Sequence, residues 1–305
     1  MTPLFASRHR AVADLATTLA RLAVTDLPLL IEGETGSGKS FVAARVHRRG
    51  RPGRPLVVVD CAAIPESLLA SELFGHRAGA FTDATRPRQG WLARAGDGTL
   101  VLDRVDALPT EAQAVLLRVL EERRFFPVGT ITPHPFPARV VALADAGAED
   151  AVRAGRFRAD LYHRLAGFHA AIPALRERPD DVLPFARATL RRPARSSGRA
   201  LSIGPDAARL LVAYTWPGNF RELGAVLLRA ALVATGGQIG AADLDLPARS
   251  WPAIAARAGA AALPLAEVER LYALFVLGRE AGNVSRAARV LGVSRRTLIR
   301  WRREA

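Results

Sequence analysis

Short apolar runs alternate with amphipathic stretches through the first 172 residues, and then the apolar runs stop. "LPLLIEG" (27–33), "PLVVVD" (55–60), "GTLVLD" (98–103) and "ARVVALA" (138–144) are continuously apolar and mostly β-branched or leucine, not alternating. That pattern predicts strands of a parallel sheet buried on both faces. Between them, "FVAARVHRR" (41–49) and "TEAQAVLLRVLEERR" (110–124) carry the spacing of helices with one apolar face. From "IPALRERPDDVLPFARATL" onward only helices are predicted, near 180–190, 205–214 and 219–234, in the manner of a helical lid. Residues 237–264, rich in Gly, Ala and Pro, read as a linker, and a compact helical segment follows over 265–305. The expected fold is α/β, with a core over 1–172, a lid over 173–236 and a small all-α terminal domain.

A chain of 305 residues, half of them apolar, is long enough for about two domains with real cores. The formal charge of +14 points to a polyanionic partner, although an arginine-rich composition also follows from a biased genome. The one cysteine, Cys61, has no partner for an internal disulfide. No apolar run reaches the ~20 residues of a membrane span, and the amino terminus does not read as a signal sequence. The expectation is a cytoplasmic protein without membrane insertion.

Of the 43 basic residues only Lys39 is a lysine. It lies in "GETGSGKS", whose residues Gly33, Glu34, Thr35, Gly36, Ser37, Gly38, Lys39 and Ser40 fit G-x-x-x-x-G-K-[ST] between a strand and a helix. Glycines let backbone N–H groups turn towards phosphate oxygens, the helix presents its positive end, and the lysine reaches the outer phosphates. Ser40 is the expected Mg2+ ligand.

The carboxyl end, "NVSRAARVLGVSRRTLIRWRR" (283–303), reads as a helix-turn-helix. Ala287, Ala288 and Leu291 form the apolar face of one helix, and Gly292 permits the turn. Ser294 caps a second helix carrying Arg295, Arg296, Thr297 and Arg300. Residues 279–305 hold eight arginines and two glutamates, as suits an element lying across DNA phosphates with its second helix in the major groove.

Several separate motifs make nearly the whole chain resemble the bacterial enhancer-binding proteins, the AAA+ activators of sigma-54 RNA polymerase. "SELFGHRAGAFTDA" (71–84) resembles the segment whose loop touches the sigma factor. That implies a contact loop of Gly79, Ala80, Phe81, Thr82, Asp83 and Ala84, with Asp83 where the family has its second glycine. "GRFRADLYHRL" (155–165) resembles the segment that supplies arginine fingers across a subunit interface, implying Arg158 and Arg164. "LRERPDD" and "WPGNFREL" (216–223) resemble the two ends of the family's lid, implying Arg221 as a sensor arginine, with Trp216, Pro217 and Phe220 in the lid core. The terminal segment is similar to the Fis-type domain of these activators. The resemblance implies an AAA+ P-loop core, ATP and Mg2+ as cofactors, and double-stranded DNA and sigma-54 holoenzyme as partners. It further implies assembly from dimer to ring. Because the motifs begin near residue 4, no room for a regulatory domain is expected ahead of them, so control is expected from a separate protein, expression level or nucleotide.

Three positions depart from that family. Its core strand ends Asp-Glu, the aspartate holding Mg2+ through water and the glutamate polarising the attacking water; this chain has Asp103 and Arg104. Arginine stays protonated and offers no acceptor atom. Asp106 is the nearest downstream acid, beyond the strand end. Where the family has the asparagine that switches the glutamate, this chain has Asp60, so Asp60 and Arg104 either form an ion pair or are two unused positions that changed independently. In "ALADAGA" (142–148), Asp145 is the remaining polar residue for the sensor position. Three functions stay open: a DNA-binding regulator that binds ATP but hydrolyses it weakly or not at all, a working ATPase activator with a substitute residue or partner, and a DNA-binding module with a vestigial nucleotide site.

Overall fold

The computed structural model describes residues 4–80, 86–197, 201–246, 263–280 and 283–303, and divides into two compact units at Ala174 and Leu175. No helix among these residues is long and apolar enough to cross a membrane.

In chain order the first unit comprises α1 (Arg10–Leu22), β1 (Leu29–Glu32), α2 (Lys39–Gly50), β2 (Leu56–Asp60), α3 (Glu66–Phe74), β3 (Gly75–His76) and β4 (Arg88–Gln89). There follow α4 (Trp91–Ala95), β5 (Thr99–Asp103), α5 (Thr110–Glu122), β6 (Arg124–Phe125), β7 (His134–Pro135), β8 (Arg139–Ala144), α6 (Ala148–Arg153), α7 (Ala159–Leu165) and β9 (Phe168–Ala171). The main sheet is five-stranded and parallel, in the order β2-β5-β8-β1-β9. Successive side chains of each strand enter opposite faces: Leu100, Leu102, Val140 and Ala142 join one buried cluster, Val101, Val141 and Leu143 the other. A strand buried on both sides needs no polar alternation, which is why these segments read as unbroken apolar runs.

β2 departs from that expectation. It is an edge strand in which only Val59 is fully buried, while Leu56 and Val58 are 37% and 55% exposed. An apolar run signals a strand; it does not say whether the strand lies at the centre or the edge.

At the amino-terminal end of the central strand, the first residue of β8 is a buried arginine. Arg139 is 1% exposed, and its guanidinium donates from Nη1 to the Ala23 carbonyl (2.8 Å) and from Nε to the Leu27 carbonyl (3.2 Å). It thus satisfies the chain where α1 ends and turns into β1. Burial pushes its pKa down to about 10, so it remains a cation near neutrality, favourably placed beside the helix's negative end. Arg139→Ala is expected to lower the unfolding free energy by about 2–4 kcal/mol, through lost packing and orphaned carbonyls. A chemical denaturation midpoint equal to wild type would show that this residue does not hold the α1–β1 connection.

In the second unit, α8 (Val182–Ser197), α9 (Pro205–Ala213) and α10 (Asn219–Val233) pack around Trp216. Two short strands, β10 (Ser202–Ile203) and β11 (Gln238–Ile239), pair in parallel. Residues 237–246, expected as linker, carry β11 and a 3-10 turn, and Ile239 and Leu244 are buried in the same cluster. Two well-placed apolar side chains suffice to dock a segment whose composition reads as loop. The remainder of the expected linker, 247–262, lies outside the described residues. Trp216 is buried as expected, donating Nε1–H to the Leu211 carbonyl at 2.8 Å, and Phe220 packs on Phe185. Pro217 is exposed and is not part of that core. Asn219 caps it instead, buried and accepting the Leu175 N–H at 2.7 Å.

The terminal segment forms three helices, Leu265–Arg279, Val284–Leu291 and Arg295–Arg303, around Ala273, Val276, Ala287, Ala288 and Leu298. Gly292 adopts φ 65°, the left-handed turn anticipated for it. Ser294 Oγ accepts the Thr297 N–H at 3.1 Å and caps the last helix. Asn283 caps the helix before it through the Arg286 N–H, also at 3.1 Å.

Candidate nucleotide-binding site

Parallel strands that end in register bring their carboxyl ends to one edge of the sheet, where distant residues meet. Asp60 pairs in register with Asp103, Asp103 with Leu143, and Glu32 with Ala144. Asp60, Asp103, Arg104, Asp145 and the loop following Glu32 therefore line a single edge.

The loop is shaped for phosphate. Gly36 and Gly38 take φ 78° and 108°, conformations that side chains resist, and Gly38 precedes the first residue of α2. A Cβ added at Gly33 would stand 2.7 Å from the Ile172 carbonyl oxygen. Lys39 has a side chain only 9% exposed, and its ammonium donates to Gly33 O (2.6 Å), Asp145 Oδ1 (2.8 Å) and Glu34 O (3.4 Å). Thr35 Oγ1 reaches the same Asp145 oxygen at 3.5 Å. The residues present fit a nucleotide's phosphates, and the hard oxygens of exposed Ser40 and half-buried Asp103 suit Mg2+. Among the described residues no group of three or more His, Cys, Asp or Glu forms a metal cage. Mg2+ is commonly held by one or two protein oxygens together with phosphate and water, so the donor set is adequate.

Arg104 and Asp60 form an ion pair, one guanidinium nitrogen meeting both carboxylate oxygens. Asp60 Oδ1 also accepts the Ala62 N–H at 3.2 Å, capping the turn after β2. Arg104 sits at φ 56°, the strand end curling into a short 3-10 turn. Asp60 holds the guanidinium above its ordinary pKa through that hydrogen bond. Asp106, in the same turn, keeps Oδ1 out of water with no hydrogen-bond partner among the described residues, and burial pushes its carboxyl up from the usual range. The charges of Asp145 and Glu32 push the same way, with Lys39 opposing them. Asp106 lies beyond the strand end in sequence, and the turn places it in the field of Asp145, Lys39 and Glu32. Cys61 is buried beside these acids, and its thiol is pushed up to about 12 by burial first and by Asp60 next, which makes it inert as a nucleophile at neutral pH.

Glu32 is a contributor that no motif marked. Its Oε1 accepts the N–H groups of Gly147 (2.6 Å) and Ala148 (3.1 Å), and Oε2 meets His169 Nε2 at 2.9 Å. Gln113 is another: buried on α5, it donates to the Leu108 and Arg156 carbonyls (2.7 and 2.8 Å) and accepts the Arg158 N–H at 2.8 Å. A glutamine on the apolar face of a helix was the available signal. It fixes the segment carrying Arg158, whose guanidinium pairs locally with Asp160 at 2.7 Å, while Arg164 donates to the Leu120 carbonyl at 3.1 Å. Arg221 is exposed on α10 of the second unit.

Gly79 and Ala80 form a turn beyond β3, whereas Phe81, Thr82, Asp83 and Ala84 lie outside the described residues. The stems of this loop are tied by His76, which meets Ser71 Oγ at 2.7 Å and the Arg86 carbonyl at 3.0 Å, and by Arg88 on Glu72 at 2.6 Å. In the terminal domain Arg295, Arg296 and Arg300 are exposed along the last helix, as are Arg286 and Arg289 on the preceding one. Thr297 is half-buried and its hydroxyl bonds Ser294 Oγ at 2.8 Å, so both hydroxyls serve the cap.

Three segments of the chain match known families. Residues 5–171 match the sigma-54 interaction domain, 176–256 the AAA+ ATPase lid domain, and 264–304 the bacterial regulatory protein, Fis family. The transcriptional regulatory protein ZraR of Klebsiella oxytoca is 40% identical over 292 residues, covering 95% of this chain and 66% of that protein. The regulatory protein AtoC of Escherichia coli strain K12 is 38% identical over 298 residues, covering 95% of this chain and 65% of its own length. The chain thus spans just under two thirds of these relatives. Crystal structures of NtrX from Brucella abortus superpose with TM-scores of 0.74 (ADP complex, 30% identity) and 0.72 (ATP complex, 31% identity), covering 97% and 98% of this chain and 68% of NtrX in each case. With the sigma-54 interaction domain matched over more than half its length, and the lid and Fis-type helix-turn-helix following in order, the chain belongs to the sigma-54-dependent transcriptional activator family, with an ATP-binding AAA+ core and a DNA-binding terminal domain.

Proposed function

We propose that this chain is a transcriptional regulator that binds MgATP and double-stranded DNA and hydrolyses ATP weakly or not at all. The observation that carries the reading is Arg104, at the strand end where the family places its water-polarising glutamate, neutralised by Asp60 beside an intact phosphate loop. In this reading Lys39 and the loop N–H groups bind and orient the phosphates, and Ser40 and Asp103 would hold Mg2+. When bound, Mg2+ would offset part of the phosphate charge that these groups gather in one place. No group at position 104 accepts a proton from water, and removing a positioned general base costs about 10²–10⁴ in rate. Nucleotide then acts as a ligand that sets assembly, with Arg158 and Arg164 reaching a neighbouring copy. The segment 79–84 meets sigma-54 holoenzyme, and Arg221 senses the nucleotide. ATP binding together with turnover at background in one preparation tests this reading.

The second reading, a working ATPase, is favoured by Asp106, a carboxyl with raised pKa in the field of Lys39 and Asp145, as catalytic acids and bases often are. Turnover abolished by Asp106→Asn would establish it.

DNA binding resides in residues 265–305 in this proposal, and its logarithm falls linearly with that of salt as arginines displace counterions. Arg295→Ala or Arg296→Ala is expected to weaken a specific duplex by about 1–3 kcal/mol, or to shift the salt slope by about one unit where only a phosphate is contacted. Titration of a fluorescent duplex at several salt concentrations separates the two. Equal affinity of residues 1–240 and the full chain would place DNA binding elsewhere.

A further inference from the structure

Each hydrogen of the Lys39 ammonium has an acceptor, and one of the three acceptors is an anion. A lysine offers three N–H groups; here they meet the carbonyls of Gly33 and Glu34 and the carboxylate of Asp145. The carboxylate is held in place. Glu32 grips the backbone N–H groups of Gly147 and Ala148 just beyond it, His169 steadies Glu32, and Thr35 touches the same Asp145 oxygen. The Asp145 side chain is also 49% exposed, so it stands on the side from which a ligand approaches.

We propose that Asp145 is a specificity-determining residue of the nucleotide site. Its carboxylate competes with phosphate oxygens for Lys39, so the site favours a nucleoside diphosphate over a triphosphate and reads their ratio by exchange, without hydrolysis. The lysine of this loop type serves the outer phosphates. Loop N–H groups can hold a diphosphate, but a third phosphate brings further negative charge towards the carboxylate already on that lysine. Like charges at close range in a partly desolvated site oppose each other strongly. Entry of a triphosphate therefore opposes the Lys39–Asp145 pair more strongly than a diphosphate does, since the one outer phosphate of a diphosphate can share the ammonium with Asp145 while a third phosphate adds its charge against that carboxylate. This inference rests on the nucleotide-binding reading above and supplies a switch for a site lacking its water-polarising acid.

The experiment is isothermal titration calorimetry of the full chain in Mg2+, with ADP and separately with ATP, on wild type and Asp145→Asn. Asparagine keeps the size and one acceptor oxygen but removes the charge. Wild type is expected to bind ADP about tenfold or more tightly than ATP, and the variant to shift the ratio of the two affinities about tenfold in favour of ATP. A thermal melt coincident with wild type checks that the variant is folded. An unchanged ratio between the two nucleotides, or an ATP affinity that falls in the variant, overturns the role of Asp145 while leaving nucleotide binding intact. No binding of either nucleotide by either protein overturns the nucleotide-binding reading and this inference with it.

Discussion

Steady-state ATP hydrolysis by the purified chain is expected to be barely above background, and to rise only when Asp60→Asn and Arg104→Glu are made together. Arg104→Glu alone sets a second carboxylate against Asp60, where the two side chains already meet. Two like charges in one place raise one pKa and disturb both positions. Asp60→Asn alone releases the guanidinium without providing an acceptor for the proton of water. The double change places a neutral amide beside a carboxylate, and its rate is expected to exceed either single variant by about a hundredfold, within the range attributed to a positioned base. Such non-additivity is characteristic of residues acting as a unit. Asp145, bound to Lys39, limits how far the rate recovers. Robust wild-type turnover that disappears in Lys39→Ala, and so is no contaminant, would show that Arg104 does not disable the site.

The second large effect is expected from Lys39→Ala itself. The ammonium is nearly buried among two carbonyls and a carboxylate, and hydrogen bonds from a charged donor contribute about 1.5–3 kcal/mol each. Loss of two of them to phosphate corresponds to about 3 kcal/mol or more, a hundredfold or greater loss of MgATP affinity. If Arg158 and Arg164 act on a neighbour's nucleotide, any shift in sedimentation produced by MgATP at micromolar protein is lost in the same variant. DNA binding by isolated subunits is expected to persist, since the terminal helices have a separate core. Unchanged nucleotide affinity in Lys39→Ala would remove the phosphate-loop assignment, and a wild-type sedimentation profile indifferent to MgATP would remove the trans role of the two arginines.

Features set by neighbours in sequence were legible from the sequence alone. The strands of the parallel sheet, the phosphate loop and the capped helix-turn-helix depend on runs, glycines and caps that act within a few residues, as Gly292 and Ser294 demonstrate. That residue 104 offers no atom to accept a proton was equally visible, because residue type alone determines that property. What the sequence left open was which distant side chains meet. Asp60 and Arg104 are 44 residues apart, and their pairing, one of two alternatives from sequence, follows from the register of β2 with β5. Asp145 lies 106 residues from Lys39 and reaches it because β8 adjoins β1 at the centre of the sheet. The same order leaves β2 at the edge with Val58 exposed, although its composition matches that of the buried strands. Ile239 and Leu244 join the lid by docking onto helices more than one element away, a contact that a Gly- and Ala-rich segment does not announce. Local chemistry determined the parts of the site; strand order and register, which depend on long-range packing, decided which charges face one another.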